Sequence, residues 1–267
     1  MTGPVPLRAG SIALIVIASL GGMMMFGWPL LIPATGVASG AGAPLAFVLL
    51  LPILLLLVLA GIAERGMDAK ALAMLGVLSA INAALRPLGA GTGGIEVVFF
   101  LLILAGRVFG AGFGFVLGAL SLFASALLTA GVGPWLPFQM LAAAWIGLGA
   151  GLLPRRAFGH PIRGIGEVVM LIVYAVVVSY VFGALMNLWF WPYITGAGVS
   201  GTTDLSYIPG GGLGANLTRF FWYTLLTSTA VWDTGRAITN AVLIAVVGVP
   251  LLAALRRTQR RARFDAE

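Results

Sequence analysis

Asp233, Arg236 and Asn240 stand at i, i+3 and i+7 in a largely apolar stretch, so a helix there carries an acid, a base and an amide on one face. Ionisable and amide groups recur in similar settings at Asn82, Arg86, Glu96, Gln139, Asn187, Asp204 and Arg219. In hydrocarbon such groups are costly unless paired or hydrated, so by default they face a wet or protein-lined cavity. Trp135, Trp189, Trp191, Trp222, Trp232 and Tyr207 add rings able to stack on a flat ligand. This set suits recognition of a small molecule by hydrogen bonds and stacking. Plainer readings stand beside that one: Asp233 and Arg236 as an intrahelical ion pair, Asn187 and Gln139 as interhelical hydrogen bonds, and the tryptophans as an interfacial belt.

Bond-making chemistry has no comparable candidates. The chain lacks cysteine, which removes disulfides, thiolate metal sites and cysteine nucleophiles. The lone histidine, His160, sits beside Arg155, Arg156 and Arg163 and reads as a solvated loop residue. Neither a G-x-x-x-x-G-K-[ST] phosphate loop nor an H-E-x-x-H zinc motif occurs, and the acids are too scattered for a catalytic carboxylate pair. No catalytic residue, metal ligand or cofactor is therefore expected.

The elements that must position these residues are membrane helices. Of 267 residues, 60% are apolar and 9% charged, and the mean hydropathy is +1.08. Apolar runs of about 20 residues, the length a helix needs to cross the hydrocarbon layer, are punctuated by Gly, Pro or Arg. The polar–apolar alternation of a membrane barrel is missing. The pattern predicts an all-α polytopic membrane bundle with helices over 10–31, 44–63, 69–86, 94–106, 109–130, 137–153, 165–190 and 233–255. The fourth is short for a span.

The net charge of +7 does not indicate nucleic acid, because the basic residues cluster at the ends of apolar segments. Twelve of the 15 basic residues fall on one side if the N-terminus is inside: Arg8, Arg65, Lys70, Arg107, Arg155, Arg156, Arg163, Arg256, Arg257, Arg260, Arg261 and Arg263. Retention of positive loops makes that side cytoplasmic, with both termini there, as expected of a multi-pass protein of a bacterial inner membrane. Six of seven tryptophans, Trp28 among them, then map to the outer side, and only Trp145 lies within a span. The first span is also readable as a secretory signal cleaved near Val37–Ala41, although its apolar run is long for one. The segment 191–232, rich in Gly and Pro, reads as an external loop whose second half, Asn216 to Ala230, is a helix on or in the outer surface.

One helix carries a different signal. Gly76, Ala80 and Ala84 repeat at four-residue spacing, with Ser79 and Ala83 widening a smooth groove where another helix can approach closely. Internal packing and a partner subunit explain that groove equally well.

Between Arg107 and Pro154 the chain contains Phe109-Gly110, Gly112-Phe113-Gly114-Phe115, Gly118-Ala119-Leu120-Ser121 and the run Gly133-Pro134-Trp135 with Pro137-Phe138-Gln139-Met140. Asn187-Leu188-Trp189 and Trp232-Asp233-x-x-Arg236-Ala237-x-x-Asn240 follow. With these motifs the sequence from Lys70 to Arg263 resembles the substrate-specific (S) components of energy-coupling factor (ECF) transporters, nearest the cobalamin-associated branch. The resemblance implies a six-helix core, residues 67–264, preceded in residues 1–66 by two additional transmembrane helices. It implies a subunit of an ABC importer that captures a vitamin, a corrinoid or a smaller one such as riboflavin or thiamin, at its outer face. The partners implied are a transmembrane coupling (T) subunit and two ABC ATPases, with docking through an A-x-x-x-A pattern that Ala80 and Ala84 match and Gly76 precedes. Toppling in the membrane would then carry the solute inward.

Two other classes remain open on the residues alone. A membrane enzyme acting on a lipid or prenyl chain could use Arg86, Asp204, Asp233 and Arg236 to hold a phosphate, but it lacks a nucleophile or metal cluster. A self-sufficient secondary transporter usually shows an internal two-fold repeat, which is not found.

Overall fold

The closest helix packing in the protein is made by residues without side chains. Gly114 and Gly118 on one helix face Gly147 and Ala143 on the next, and a Cβ at Gly114, Gly118 or Gly147 would overlap the opposite backbone. Gly151 in turn lies against Gly110 and Ala111. This four-residue ladder lets two antiparallel helices touch backbone to backbone, the arrangement that holds helices together where lipid removes the hydrophobic drive.

The structure, a computed structural model, describes residues 9–31, 48–56, 58–60, 69–89, 92–193, 205–208 and 210–264. The helices are α1 (Ala9–Leu31), α2 (Val48–Ala60), α3 (Ala69–Leu85), α4 (Val98–Phe109), α5 (Ala111–Leu128), α6 (Leu136–Leu152), α7 (Ile165–Phe190), α8 (Leu213–Thr224) and α9 (Thr234–Phe264). The glycine ladder joins α5 to α6. A two-residue hairpin, Arg156–Ala157 with His160–Pro161, links α6 to α7. Its turn is closed by Phe158 and Gly159 at positive φ, and His160 is exposed on it.

Five helical stretches are long and apolar enough to cross a membrane: Ala9–Trp28, Ala69–Gly89, Ala111–Leu128, Ile165–Phe190 and Leu213–Arg260. Helices α2, α4 and α6 are apolar but shorter. Helix α4 explains its own brevity. All of its residues are buried in the bundle, and at about 18 Å it is well short of the roughly 30 Å hydrocarbon layer. Irregular backbone at membrane depth is tolerated only inside protein, and α4 is approached by just such a segment, residues 92–97.

Helix α1 seats on α6 and α7. Trp145 donates its indole N–H to Ser19 Oγ at 2.9 Å, and Phe26 meets the Phe138 ring edge-on at 5.1 Å. The stretch Val37–Ala41, read as a cleavage site, lies outside the described residues.

The largest departure from the expected boundaries is at the last helix. The expected start at 233 is absent: the chain is helical from Leu213, passes through a π-helical stretch, Leu225–Asp233, and continues to Phe264. The surface helix and the last span are one element; before it, Trp191–Tyr193 is a 3-10 turn and the described residues 205–208 and 210–212 are non-helical. The sequence permits this, since Ala215 to Thr234 contains neither Gly nor Pro. Gly235 sits against the Gly93 carbonyl, an approach that any Cβ would block.

Candidate functional site

Helices α3, α6, α7 and α9 carry their selected polar residues near the same end of the bundle, in two groups. The first lies between α4, α7 and α9. There Arg236 Nε donates to Glu96 Oε2 at 2.5 Å, and Nη1 donates to Asp233 Oδ1 at 2.8 Å and to the Ser179 carbonyl at 3.3 Å. The guanidinium lies 4.8 Å from the Phe182 ring centroid and 5.7 Å from that of Phe99, a cation–π position on both. Asp233 Oδ2 accepts from the Ser228 and Thr229 hydroxyls, so the π-helical turn folds its donors onto the buried acid. Gly183 leaves room for that carboxylate, which a Cβ there would strike.

Asn240 completes this group. Its Oδ1 accepts the Phe100 backbone N–H at 2.7 Å, and its Nδ2 donates to the carbonyls of Glu96 at 2.8 Å and Arg236 at 2.9 Å. The first turn of α4 has free N–H groups, and Val97 supplies no side-chain cap. Asn240 therefore caps α4 from across the bundle. Glu96, Asp233, Arg236 and Asn240 are brought together and engaged with one another, a clasp whose hydrogen-bonding groups are largely used.

The second group is spread over α3, α6 and α7 and is less complete. Arg86 Nη2 donates to Gln139 Oε1 at 2.8 Å, tying the end of α3 to the start of α6. One turn back, Asn82 is fully buried and neither its Oδ1 nor its Nδ2 has a hydrogen-bond partner. Next to Gln139, Phe138 stacks on Trp189 at 4.5 Å with the rings 5° from parallel, and two residues before Trp189 the Asn187 Nδ2 is also buried without a partner. Buried amides in native structures are almost always satisfied, so unpaired ones mark where a ligand's polar groups could be received.

The aromatic candidates divide. Trp135, at the start of α6, is 44% exposed and lies over Gly133, where a Cβ would overlap its ring. Trp222 and Trp232 are similarly exposed. Trp189 is in the core, and Trp191 is wholly buried, donating its N–H to the Leu205 carbonyl at 2.9 Å within a small cluster with Tyr207, Phe220 and Tyr223. Desolvation raises the Tyr207 phenol above its ordinary pKa. Trp191 thus closes a loop rather than presenting a ring. Asp204 lies outside the described residues.

On α3, Gly76, Ala80 and Ala84 are exposed, and nothing lies within 4 Å of a Cβ built at Gly76. Ser79 and Ala83 face the bundle instead, so they do not widen that groove.

Sequence reasoning missed two features. Asn216 bridges the Ile208 backbone N–H and C=O and the Gly211 carbonyl, fastening the chain as it enters α8. At the opposite end, Glu167 on α7 accepts from Arg107 Nε at 2.7 Å and from Arg256 Nη2 at 2.7 Å to both of its oxygens. Arg107, expected at a loop, belongs to the last turn of α4 and is 2% exposed along its side chain. An acid one turn into a long apolar helix was the signal, because it demands a cationic partner. No protein-family model matches the chain, and neither a curated protein nor a solved structure does.

Proposed function

We propose that this protein is the substrate-binding subunit of an ECF-type importer, capturing a vitamin at the outer end of the bundle for a coupling subunit and two ATPases to move inward. The observation that carries the reading is the set of three buried amide atoms without hydrogen-bond partners, Oδ1 and Nδ2 of Asn82 one turn before Arg86 and Nδ2 of Asn187 near the end of α7. A ligand with several hydrogen-bonding groups, such as a corrinoid with its amides, matches that deficit. The exposed Trp135 ring at the mouth offers stacking.

Helix α3 supports the coupling half of the reading. Its inward face carries Asn82, while its outward face carries the uncovered stripe Gly76, Ala80 and Ala84. One helix then touches both the ligand and the partner. The six-helix core would be α3 to α7 and α9, with α1 and α2 added, and both termini cytoplasmic by the arginine distribution.

The test is direct titration of the purified protein with cobalamin, riboflavin and thiamin, followed by purification from its native host to identify bound ATPases. Saturable binding of one vitamin, weakened by Asn82→Leu, is expected. Failure of all three to bind, with no ATPase copurifying, would overturn the assignment.

A further inference from the structure

The end of the bundle opposite the clasp holds two adjoining cavities of about 510 and 430 Å³ that share Glu167, Arg256 and Arg260. The larger is lined by five arginines, Arg107, Arg155, Arg163, Arg256 and Arg260, and one carboxylate, Glu167, leaving an excess of four positive charges. Glu167 is already saturated by Arg107 and Arg256, and Arg107 spends its Nη1 on the carbonyls of Leu153 and Pro154. Arg155 makes one bond, to the Arg107 carbonyl, while Arg163 and Arg260 make no hydrogen bond or ion pair among the described residues. Burial, and then the charges of Arg107 and Arg256, lower the pKa of Arg155. Among the described residues Glu167 is the one carboxylate lining this cavity, and it leaves Arg155, Arg163 and Arg260 without a paired anion.

The smaller cavity is of different character. Beneath Arg256, Arg257 and Arg260 it is walled by Val168, Val249, Leu252 and Ala253. Val249 is 57% exposed and opens this wall to the outside of the bundle. Depth fixes what the pair of cavities meets. Glu167 and Asn187 on α7, like Arg236 and Arg256 on α9, are separated by twenty residues, about 30 Å of helix, the thickness of the hydrocarbon layer. With the clasp at one surface, the arginines lie at the headgroup level of the other.

We infer that this is a binding site for one anionic phospholipid, its phosphate held by Arg155, Arg163 and Arg260 and an acyl chain laid along Val168, Val249 and Leu252. Guanidinium groups match phosphate oxygens in bidentate geometry, and an apolar groove directly below a phosphate site is what separates a lipid from free phosphate. The site rests on the membrane placement of the helices and not on the identity of any transported solute.

The experiment uses delipidated full-length protein in neutral detergent, with lipid binding followed by native mass spectrometry and by the thermal unfolding midpoint. Dioleoyl phosphatidylglycerol should bind as a single saturable equivalent, dioleoyl phosphatidylcholine much more weakly, and inorganic phosphate or glycerol phosphate only at far higher concentration. Arg163→Gln and Arg260→Gln should each weaken phosphatidylglycerol about tenfold, the loss of one charge-assisted contact. Arg156→Gln, an exposed hairpin arginine lining neither cavity, should leave it unchanged. Equal binding of the two lipids, an effect of Arg156→Gln as large as that of Arg163→Gln, or free phosphate binding as tightly as the lipid would each overturn the inference.

Discussion

Replacing Asn240 by leucine tests whether the clasp is structural. The two side chains are similar in size, so the change removes hydrogen bonds and adds little void. It leaves the buried Phe100 N–H and the partly buried Glu96 C=O without the partners that Asn240, itself fully buried, supplies at 2.7 and 2.8 Å. The Arg236 carbonyl keeps its helical acceptor role. Two such groups left unpaired cost about 1–3 kcal/mol each. Membrane proteins show the lower part of that range, because the unfolded state also finds partners. The expected loss is therefore about 2–4 kcal/mol. It is measured by reversible unfolding in mixed micelles, with Val242→Leu, an exposed position on the same helix, as the neutral control. Ligand affinity of the folded fraction should be unchanged. If Asn240→Leu unfolds within about 0.5 kcal/mol of the parent while ligand binding collapses, the residue is a ligand contact and the capping argument is wrong.

Glu167→Gln should destabilise the fold by about 3–5 kcal/mol, since it strands the buried Arg107 charge, while Arg256→Gln should cost less because Arg107 still neutralises Glu167; unfolding in micelles checks both. Gly147→Ala should cost about 2 kcal/mol or more through overlap with Gly114, whereas Gly76→Ala, which meets nothing, should stabilise by up to about 1 kcal/mol on the same assay. Cysteines placed singly at Gly211 and Arg260 should differ in labelling by an impermeant reagent, and labelling of the latter from outside intact cells would reverse the topology. Ala80→Trp should block uptake while leaving binding by the isolated subunit intact, because the ring fills the exposed stripe that a coupling helix needs; normal transport would remove that stripe from the docking surface.

What the sequence made legible was what hydrocarbon forces. Apolar length made the helical character legible: five stretches are long and apolar enough to cross a membrane, α7 has the expected ends, and the last helix begins at Leu213, well before its expected start. The cost of lone charges singled out Glu96, Asp233, Arg236 and Asn240, which meet across 140 or so positions of chain. The pairing itself was not readable. A cost says that a partner exists and not which one, so Asp233 and Arg236 were paired along the helix while Glu96 went unassigned. Glu167 is not legible as a clasp because Arg107 and Arg256 at helix ends satisfy the positive-inside pattern whether they are exposed or paired. Tryptophan burial was illegible for a similar reason: composition places an indole near an interface, but whether it faces water or a loop backbone, as Trp191 does, depends on tertiary contacts.

The glycine motifs of α5 and α6 acquire a physical meaning that constrains where any motion can occur. Gly114 and Gly118 against Gly147 and Ala143 make a seam that tolerates no added atom, so those helices move as one body. The α4 cap and the Arg236 clasp fasten the start of α4 to α9, and the Arg107–Glu167 pair in its last turn fixes the other end. Helix α3 packs along α5. Its link to the start of α6 is the single Arg86–Gln139 bond, its inward Asn82 is unsatisfied, and its outward stripe is bare. A ligand that paired Asn82 would add a contact on the inward face of α3 and favour one placement of its outward face. Docking of a partner on Gly76, Ala80 and Ala84 would then be favoured by the same ligand, through differential affinity for one placement of one helix. On that argument Asn82→Leu should weaken both vitamin binding and partner association, whereas Ala80→Trp should weaken association alone. Equal loss of vitamin binding in the two variants would show that the two faces of α3 do not act separately.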